Sequence, residues 1–379
     1  MSIVIVGAGL AGATAVTELR EKGYGGGIVL VGAETHLPYE RPPLSKGFLM
    51  GAQEFDDTIV HDQGWYDDED VDLRLGTRAT RIDLHEKVVH TEPVGDGQPA
   101  EIPYDKLLLA TGATPRTLDP GDGVAPLLTL RTVEDSTRLR TALKGADHVA
   151  IIGGGWIGLE VASAARQSGA EVTVFEGGPL PLLRVLGPEV ATVFAELHRG
   201  HGVDLRLESK PIASDLAGAD VILAAIGVTP DVDLAKDAGL AVDNGVLVDA
   251  TLRTSDKDVF AVGDIANHDH PSLGRRIRVE HWDNAVEQAK VAARNLLGAA
   301  EQYDRQPYFF TDQYDLGMEY VGNVGPDGYD RVEIEGPTNV LGGDAFRAFW
   351  IRGGKVVAAM HVNDWDASDV IRDSIGMAR

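Results

Sequence analysis

Gly7-Ala8-Gly9-Leu10-Ala11-Gly12 follows the apolar run Ile3 to Val6, and Gly153-Gly154-Gly155-Trp156-Ile157-Gly158 follows Val149 to Ile152. In both places a strand fit for burial on two faces runs into a tight turn and then into a helix-forming stretch. The first glycine permits the turn, the second lets a pyrophosphate approach the backbone, and the third lets the helix pack close to the sheet. Free N–H groups at the helix N-terminus then meet the phosphates. A single run of this kind is weak, because an ordinary strand-to-helix turn can carry it. Two such runs, each followed by a second apolar strand ending in an acid, predict two dinucleotide cradles. With a flavin dinucleotide in one and a nicotinamide dinucleotide in the other, hydride exchange between them is the chemistry implied.

At 379 residues the chain is too long for one ordinary core and predicts two or three domains. No apolar run approaches the roughly 20 residues that a membrane helix needs, and the first strand begins at Ile3, so a cytoplasmic location without signal peptide is expected. The chain has no cysteine, which removes disulfides, thiolate metal sites and the redox dithiols of flavin disulfide reductases. Electrons reaching a flavin here must leave to an external acceptor. The net charge of −25, from 59 Asp and Glu against 34 Lys and Arg, disfavours nucleic acid and anionic membranes as partners. His268-Asp269-His270 lacks a third positioned ligand and reads as a solvated turn rather than a metal site. No metal is expected.

Residues 1 to about 112 read as a βαβ unit, a Pro-rich loop, an irregular acidic stretch from Phe55 to Asp72, and short strands such as Val71 to Leu75 and Lys87 to His90. They close on a buried strand entering the Ala110-Thr111-Gly112 turn. A second α/β unit starts at His148, continues through Val172 to Phe175 and Val221 to Ala225, and ends at Ile226-Gly227-Val228-Thr229-Pro230, an internal repeat of the first. Val259 to Val262 then delivers Gly263-Asp264 at a strand's carboxyl end, where ligands of open α/β sheets bind. Beyond Pro307 a hairpin of Arg347 to Arg352 with Lys355 to Val362 is expected around Gly353-Gly354.

With the segment Pro38-Tyr39-Glu40-Arg41-Pro42-Pro43-Leu44-Ser45-Lys46, with Arg278-Val279-Glu280-His281-Trp282-Asp283-Asn284-Ala285 and with Thr311-Asp312-Gln313-Tyr314-Asp315, these landmarks resemble, over essentially the whole chain, the NADH-dependent ferredoxin reductases that serve bacterial oxygenases and cytochromes P450. Putidaredoxin reductase and the reductases of aromatic-ring dioxygenases are of this kind, and apoptosis-inducing factor shares their fold. The resemblance implies an α/β fold with two Rossmann-like, glutathione-reductase-like nucleotide-binding domains and a small α+β C-terminal domain. The FAD domain is split between residues 1–112 and 236–304, an NADH domain is inserted at 113–235, and the C-terminal domain spans 305–379.

Carried onto this chain, the resemblance assigns FAD to Gly7, Gly9, Ala11 and Gly12, with Glu34 on the adenosine ribose, although some relatives place the acid where Ala33 stands here. It adds Arg41 and Lys46 from the Pro-rich motif, Ala79 at adenine, Thr111, Gly112 and Arg116 near the pyrophosphate, Gly263 and Asp264 at the ribityl chain, and the Trp282 backbone N–H at the flavin pyrimidine edge. NADH is assigned to Gly153, Gly155, Ile157, Gly158, Gly227 and Glu176, whose carboxylate accepts from both ribose hydroxyls and repels a 2′-phosphate. Lys46 paired with Glu160 sets a fixed ammonium that favours the reduced, negatively charged flavin. Trp156 stands where relatives have Phe or Tyr over the flavin face, either as a gate that yields to nicotinamide or as core at the strand–helix junction.

The implied activity is electron transfer from NADH through FAD to an iron–sulfur ferredoxin, and through it to an oxygenase or cytochrome P450. An NADH oxidase or quinone reductase, and a slow NADH-sensing flavoprotein like apoptosis-inducing factor, are the alternatives; monomer and homodimer are both open. Arg275, Arg276 and Arg278 are candidates for a basic patch facing a ferredoxin. The chain departs from the family pattern in lacking room for a β-meander between Leu205 and Val221, in a C-terminal region shorter than usual, and in Phe310 where Trp is common.

Overall fold

The computed structural model describes residues 1–121 and 124–379. The chain divides into two compact units: one comprises Met1–Glu40, Asp56–Thr114 and Thr229–Arg305, the other Arg41–Phe55, Pro115–Val228 and Gln306–Arg379.

The first unit is built on a five-stranded parallel sheet in the order Val259–Ala261, Lys106–Leu109, Ser2–Val6, Gly27–Val31, Val71–Arg74. Ser2–Val6 is central because its residues Ile3, Val4 and Ile5 are wholly buried and apolar on both faces, as a parallel strand covered on both sides requires. The helices Leu10–Glu21 and Trp282–Leu296 bring Ala11, Ala15, Val16, Leu19, Ala289, Ala292, Ala293 and Leu296 into the same core. Their many alanines let helices and sheet approach closely. Val71–Arg74, expected as a short strand, is the edge strand of this sheet, in parallel register Ile28 to Val71. The acidic stretch before it is not wholly irregular: Gln63–Asp68 is helical, capped by the Asp62 side chain accepting from Trp65 N at 2.8 Å. A three-stranded antiparallel sheet follows, Thr77–Asp83, Val88–Pro93 and Ala100–Pro103.

The second unit repeats the plan. Its parallel sheet runs Val203–Arg206, Glu171–Phe175, His148–Ile152, Val221–Ala224, Leu127–Leu128, with His148–Ile152 central. Between Val203–Arg206 and Val221–Ala224 stands only the four-residue helix Ala213–Leu216. The C-terminal residues form a five-stranded antiparallel sheet ordered Tyr308–Gln313, Leu316–Gly322, Lys355–Val362, Phe346–Arg352, Arg331–Glu335, with the expected hairpin at Gly353-Gly354. Leu159, Leu186, Val190, Phe194 and Leu197 from the helices share one core with Phe346, Trp350 and Met360 of that sheet. At ~1.5–3 kcal/mol for each fully buried large apolar side chain, this core binds the C-terminal sheet to the helices of the second nucleotide motif.

His268 and His270 are not in a solvated turn. They lie on the strand Ala266–His270, each about 1% exposed, with their Nε2 atoms 2.9 and 3.0 Å from the carbonyls of Tyr303 and Arg305. Of the candidate basic patch, exposed Arg276 donates to the carbonyls of Val248 and Asn267, and Arg278 donates to Asp264 O and pairs with Glu280 at 2.6 Å.

Candidate functional site

The two glycine motifs have the same local construction. Gly7 N donates to Val31 O and Gly153 N to Phe175 O, both at 2.8 Å; Ala110 N donates to Val6 O and Ala225 N to Ile152 O, again at 2.8 Å. Gly7 and Gly153 have φ of +118° and +108°, and a Cβ on them would lie 2.1 Å from Ala110 O and 2.3 Å from Ala225 O. A Cβ on Gly12 or Gly158 would fall 2.0 or 2.1 Å from the carbonyl oxygen of its own first glycine. Internal packing therefore requires the first and third glycines.

It does not require the second. Gly9 and Gly155 have φ of −91° and −82°, ordinary for any residue, and a Cβ there meets nothing within 4 Å. Each stands at the N-cap of a helix, Leu10–Glu21 or Trp156–Gln167, with no side chain over the first free N–H groups. A glycine that the protein's own atoms do not demand, beside unclaimed donors, fits close approach by an anion. Both cradles fit a dinucleotide on this ground.

In the first unit, residues far apart in sequence converge on the first cradle. The Ala110-Thr111-Gly112 turn abuts Gly7, with Thr111 Oγ1 donating to Asp231 O at 2.9 Å and Gly112 at φ +73°. A Cβ on Gly263 would contact Ala11 Cβ at 3.6 Å and Ala285 Cβ at 3.8 Å, so the Gly263-Asp264 corner, the first helix and the N-terminal turn of Trp282–Leu296 meet. Gln288, buried in that last helix, accepts from Gly263 N at 2.9 Å and fixes the corner. Asp264 is partly exposed in a 3-10 turn, and Trp282 is the first residue of its helix, leaving its N–H outside the helical ladder. Glu34 follows the strand Gly27–Val31 and accepts from Tyr39 Oη at 2.6 Å; it is not a free loop carboxylate. Ala79 is half-buried against the same core, where the pairing of Thr77–Asp83 with Val88–Pro93 slips by one residue.

In the second unit, Glu176 stands at the end of Glu171–Phe175, and both its oxygens are held: Oε2 accepts from Gly154 N at 2.8 Å, Oε1 from Gly178 N at 2.7 Å. A carboxylate offers about four acceptor positions, so two remain for a ribose. Gly227, at φ +91°, closes the Ala225-Ile226-Gly227 turn beside Gly153 and accepts from Arg116 N at 2.9 Å. The Arg116 side chain is exposed, and Arg41 directs a guanidinium N–H to Arg131 O. Ile157 is exposed and Gly158 buried, as the first turn of an amphipathic helix requires. Trp156 is wedged between Phe194, edge-on at 5.9 Å, and Phe309, tilted at 5.9 Å.

Also in this unit, Lys46 Nζ lies 2.7 Å from Glu160 Oε1, with 17% and 5% of the side chains exposed. Glu160 further accepts from Ser45 Oγ at 2.5 Å and Thr311 Oγ1 at 2.6 Å. The Lys46 ammonium sits 5.4 Å from the Phe310 ring centroid, so the ring that replaces the expected Trp still offers a cation–π surface. Removing either member of such a buried pair costs ~3–5 kcal/mol because the other charge is stranded. Sequence reading missed Ser45, Thr311, Gln313 and His198 as site residues. The first three lie within motifs already quoted, and strand alternation puts 311 and 313 on one face; His198 had no signal.

A family model described as pyridine nucleotide-disulphide oxidoreductase matches residues 1–289. The chain belongs to that family. It is 41% identical to the anthranilate 1,2-dioxygenase system ferredoxin--NAD(+) reductase component of Burkholderia cepacia, over 95% of this chain and 90% of that protein. It is 34% identical to putidaredoxin reductase CamA of Pseudomonas putida, over 96% and 88% of the two chains. Among solved structures it superposes on a chain of the covalent putidaredoxin reductase–putidaredoxin complex with a TM-score of 0.90 at 33% identity, covering 100% of this chain and 94% of that one. In a pyridine nucleotide-disulphide oxidoreductase with no cysteine, the disulphide chemistry of the family name has no residues to run on. Among the described residues no helix is long and apolar enough to cross a membrane, and no cluster of three or more His, Asp or Glu could hold a metal ion.

Proposed function

We propose that this chain is an FAD-dependent NADH:ferredoxin oxidoreductase of the cytoplasm, delivering electrons to an iron–sulfur ferredoxin that feeds an oxygenase or cytochrome P450. The observation that carries the reading is the pair of second glycines, Gly9 and Gly155, each open to a phosphate, in a chain without an internal thiol acceptor. The ferredoxin assignment is supported by relatives named as ferredoxin--NAD(+) reductase components.

In this reading Gly7, Gly9, Ala11 and Gly12 receive the FAD pyrophosphate at the N-terminus of Leu10–Glu21. Glu34 would take the ribose, Ala79 the adenine, Asp264 the ribityl chain and the Trp282 N–H the pyrimidine edge, with Thr111, Gly112, Gly263, Arg41 and Arg116 completing the set. Gly153, Gly155, Ile157, Gly158 and Gly227 hold the NADH pyrophosphate and its surroundings. Glu176, its orientation set by two backbone N–H groups, accepts from the NADH ribose and repels a 2′-phosphate. Bound FAD supplies the conversion between a two-electron donor and a one-electron carrier. Lys46, pinned by Glu160, would hold positive charge for the flavin, and Trp156 would serve as the gate for nicotinamide. Residues 1–112 with 236–304 serve as the FAD domain, 113–235 as the NADH domain and 305–379 as the C-terminal domain.

Anaerobic stopped-flow mixing of the yellow, FAD-loaded protein with NADH and then with a panel of [2Fe-2S] ferredoxins tests the assignment. Rapid flavin bleaching by NADH and reoxidation by a ferredoxin are expected. No bleaching, or a strong preference for NADPH, would contradict it; in a separate aerobic or quinone-supplemented steady-state assay, fast NADH consumption without any ferredoxin would instead indicate oxygen or a quinone as acceptor.

A further inference from the structure

Behind the Lys46–Glu160 pair lies a line of buried polar side chains that the proposed chemistry does not use. Thr311 Oγ1, which donates to Glu160 at 2.6 Å, is 3.2 Å from Gln313 Nε2; Gln313 Oε1 is 2.8 Å from His198 Nε2. Thr311, Gln313 and His198 are 0%, 1% and 0% exposed. Thr311 and Gln313 project from one face of the strand Tyr308–Gln313, and His198 comes from the helix Leu183–Gly200.

The donor and acceptor roles follow from the inventory of each group. Paired with an ammonium, the Glu160 carboxylate accepts, so Thr311 must donate its one proton to it and can only accept from Gln313. The Gln313 amide is thereby oriented with Oε1 toward His198, which must present Nε2–H. Burial keeps the His198 ring neutral, pushing it down to about 4 against the Gln313 hydrogen bond. All the protons in the line therefore point toward Glu160, and its carboxylate, with Ser45 on the other oxygen, has no freedom to rotate.

An apolar filling at these positions would serve stability as well, since Phe194, Leu197, Leu316 and Met318 surround them in sequence and are core. A buried polar line earns its place by specifying orientation. We propose that Thr311, Gln313 and His198 are positioning residues that fix Glu160 and, through it, the Lys46 ammonium; this rests on the reading of Lys46 as the charge set against the flavin.

The test uses FAD-loaded protein and two readouts: the flavin midpoint potential measured against reference dyes without NADH, and the limiting rate and half-saturation of reduction by NADH. Thr311→Val, nearly isosteric, should lower the reduced-to-oxidised ratio about tenfold, which is about 30 mV more negative for a two-electron couple. It should slow limiting reduction about tenfold and leave half-saturation within about twofold. Thr311→Ser should restore both, Gln313→Met should act in the same direction, and Thr311→Val should add nothing in a Lys46→Gln background. Wild-type potential and rate in Thr311→Val, with both altered in Lys46→Gln, overturn the positioning chain and leave the Lys46 reading intact. No change in Lys46→Gln overturns both. If Thr311→Val does not hold FAD, Gln313→Met decides by the same criteria; if neither does while Thr311→Ser does, the line is structural only and the proposal fails.

Discussion

Replacing Gly155 by Ala separates what the fold needs from what the ligand needs. In the folded chain the new methyl meets nothing within 4 Å, and φ of −82° suits alanine. Alanine is a poorer N-cap than glycine, by some tenths to about 1 kcal/mol, while the stiffer unfolded chain returns ~0.4–1 kcal/mol. The two offset one another, so stability should change by no more than about 0.5 kcal/mol and the midpoint of thermal unfolding by about 2 °C. The methyl nevertheless occupies the space through which a phosphate reaches the helix N-terminus. Losing a single charge-assisted hydrogen bond of ~1.5–3 kcal/mol weakens dinucleotide binding about 10- to 150-fold. Gly158→Ala should do the reverse in kind: its Cβ would sit 2.1 Å from Gly153 O and 3.3 Å from Ala225 Cβ, so the helix must shift, at about 1–3 kcal/mol and several degrees. Titration of FAD-loaded protein with NAD+, followed by flavin absorbance, and thermal unfolding by circular dichroism measure both quantities. A Gly155→Ala protein that binds NAD+ as the parent does, or one that melts like Gly158→Ala, would refute the reasoning that the open second glycine exists for a phosphate.

Glu176→Gln keeps an acceptor for one backbone N–H but removes the charge, and should raise the kcat/KM of NADPH relative to NADH by about tenfold or more, read from steady-state kinetics. An unchanged ratio would place discrimination elsewhere. Acid should weaken the fold through buried neutral histidines: burial lowers His198 and His268 from 6.5 to about 4, with the charge of His270 adding at His268. Between those values the unfolded chain binds protons that the folded chain refuses, so stability falls as pH drops from about 6.5 to about 4, reaching about 3 kcal/mol per histidine, and is untouched above that window. Urea unfolding from pH 7.5 to 4.5 should show this slope, and His268→Gln should flatten it; an equal slope in the variant would mean that other groups carry the acid sensitivity.

Both cradles were legible because their signals are local. A strand, a turn and a helix start require specific glycines within six residues, and the apolar runs Ile3 to Val6 and Val149 to Ile152 are too uniformly buried to be anything but central strands. Glu176 was legible for the same reason, as the polar residue that ends an apolar strand. What was illegible depended on partners distant in sequence. His268 and His270 look like a polar turn until the strand Ala266–His270 pairs in parallel with Val246–Val248 and the carbonyls of Tyr303 and Arg305 arrive to accept their protons. That Arg276 and Arg278 donate to the carbonyls of Val248, Asn267 and Asp264 was equally invisible in the sequence, because those acceptors lie 9 to 28 residues away.

Local sequence alone determined the two strand–turn–helix corners, since a Cβ at Gly12 or Gly158 collides with the carbonyl oxygen of the first glycine of its own motif. The absence of cysteine likewise settled, without any coordinates, that no dithiol of this chain takes up electrons. The resemblance had already paired Lys46 with Glu160, but only the tertiary structure decided the rest of its donors, because Ser45 and Thr311 lie more than a hundred residues from it on either side. Hydrogen bonds act over about 3 Å in space, whereas periodicity and propensity report only on neighbours along the chain.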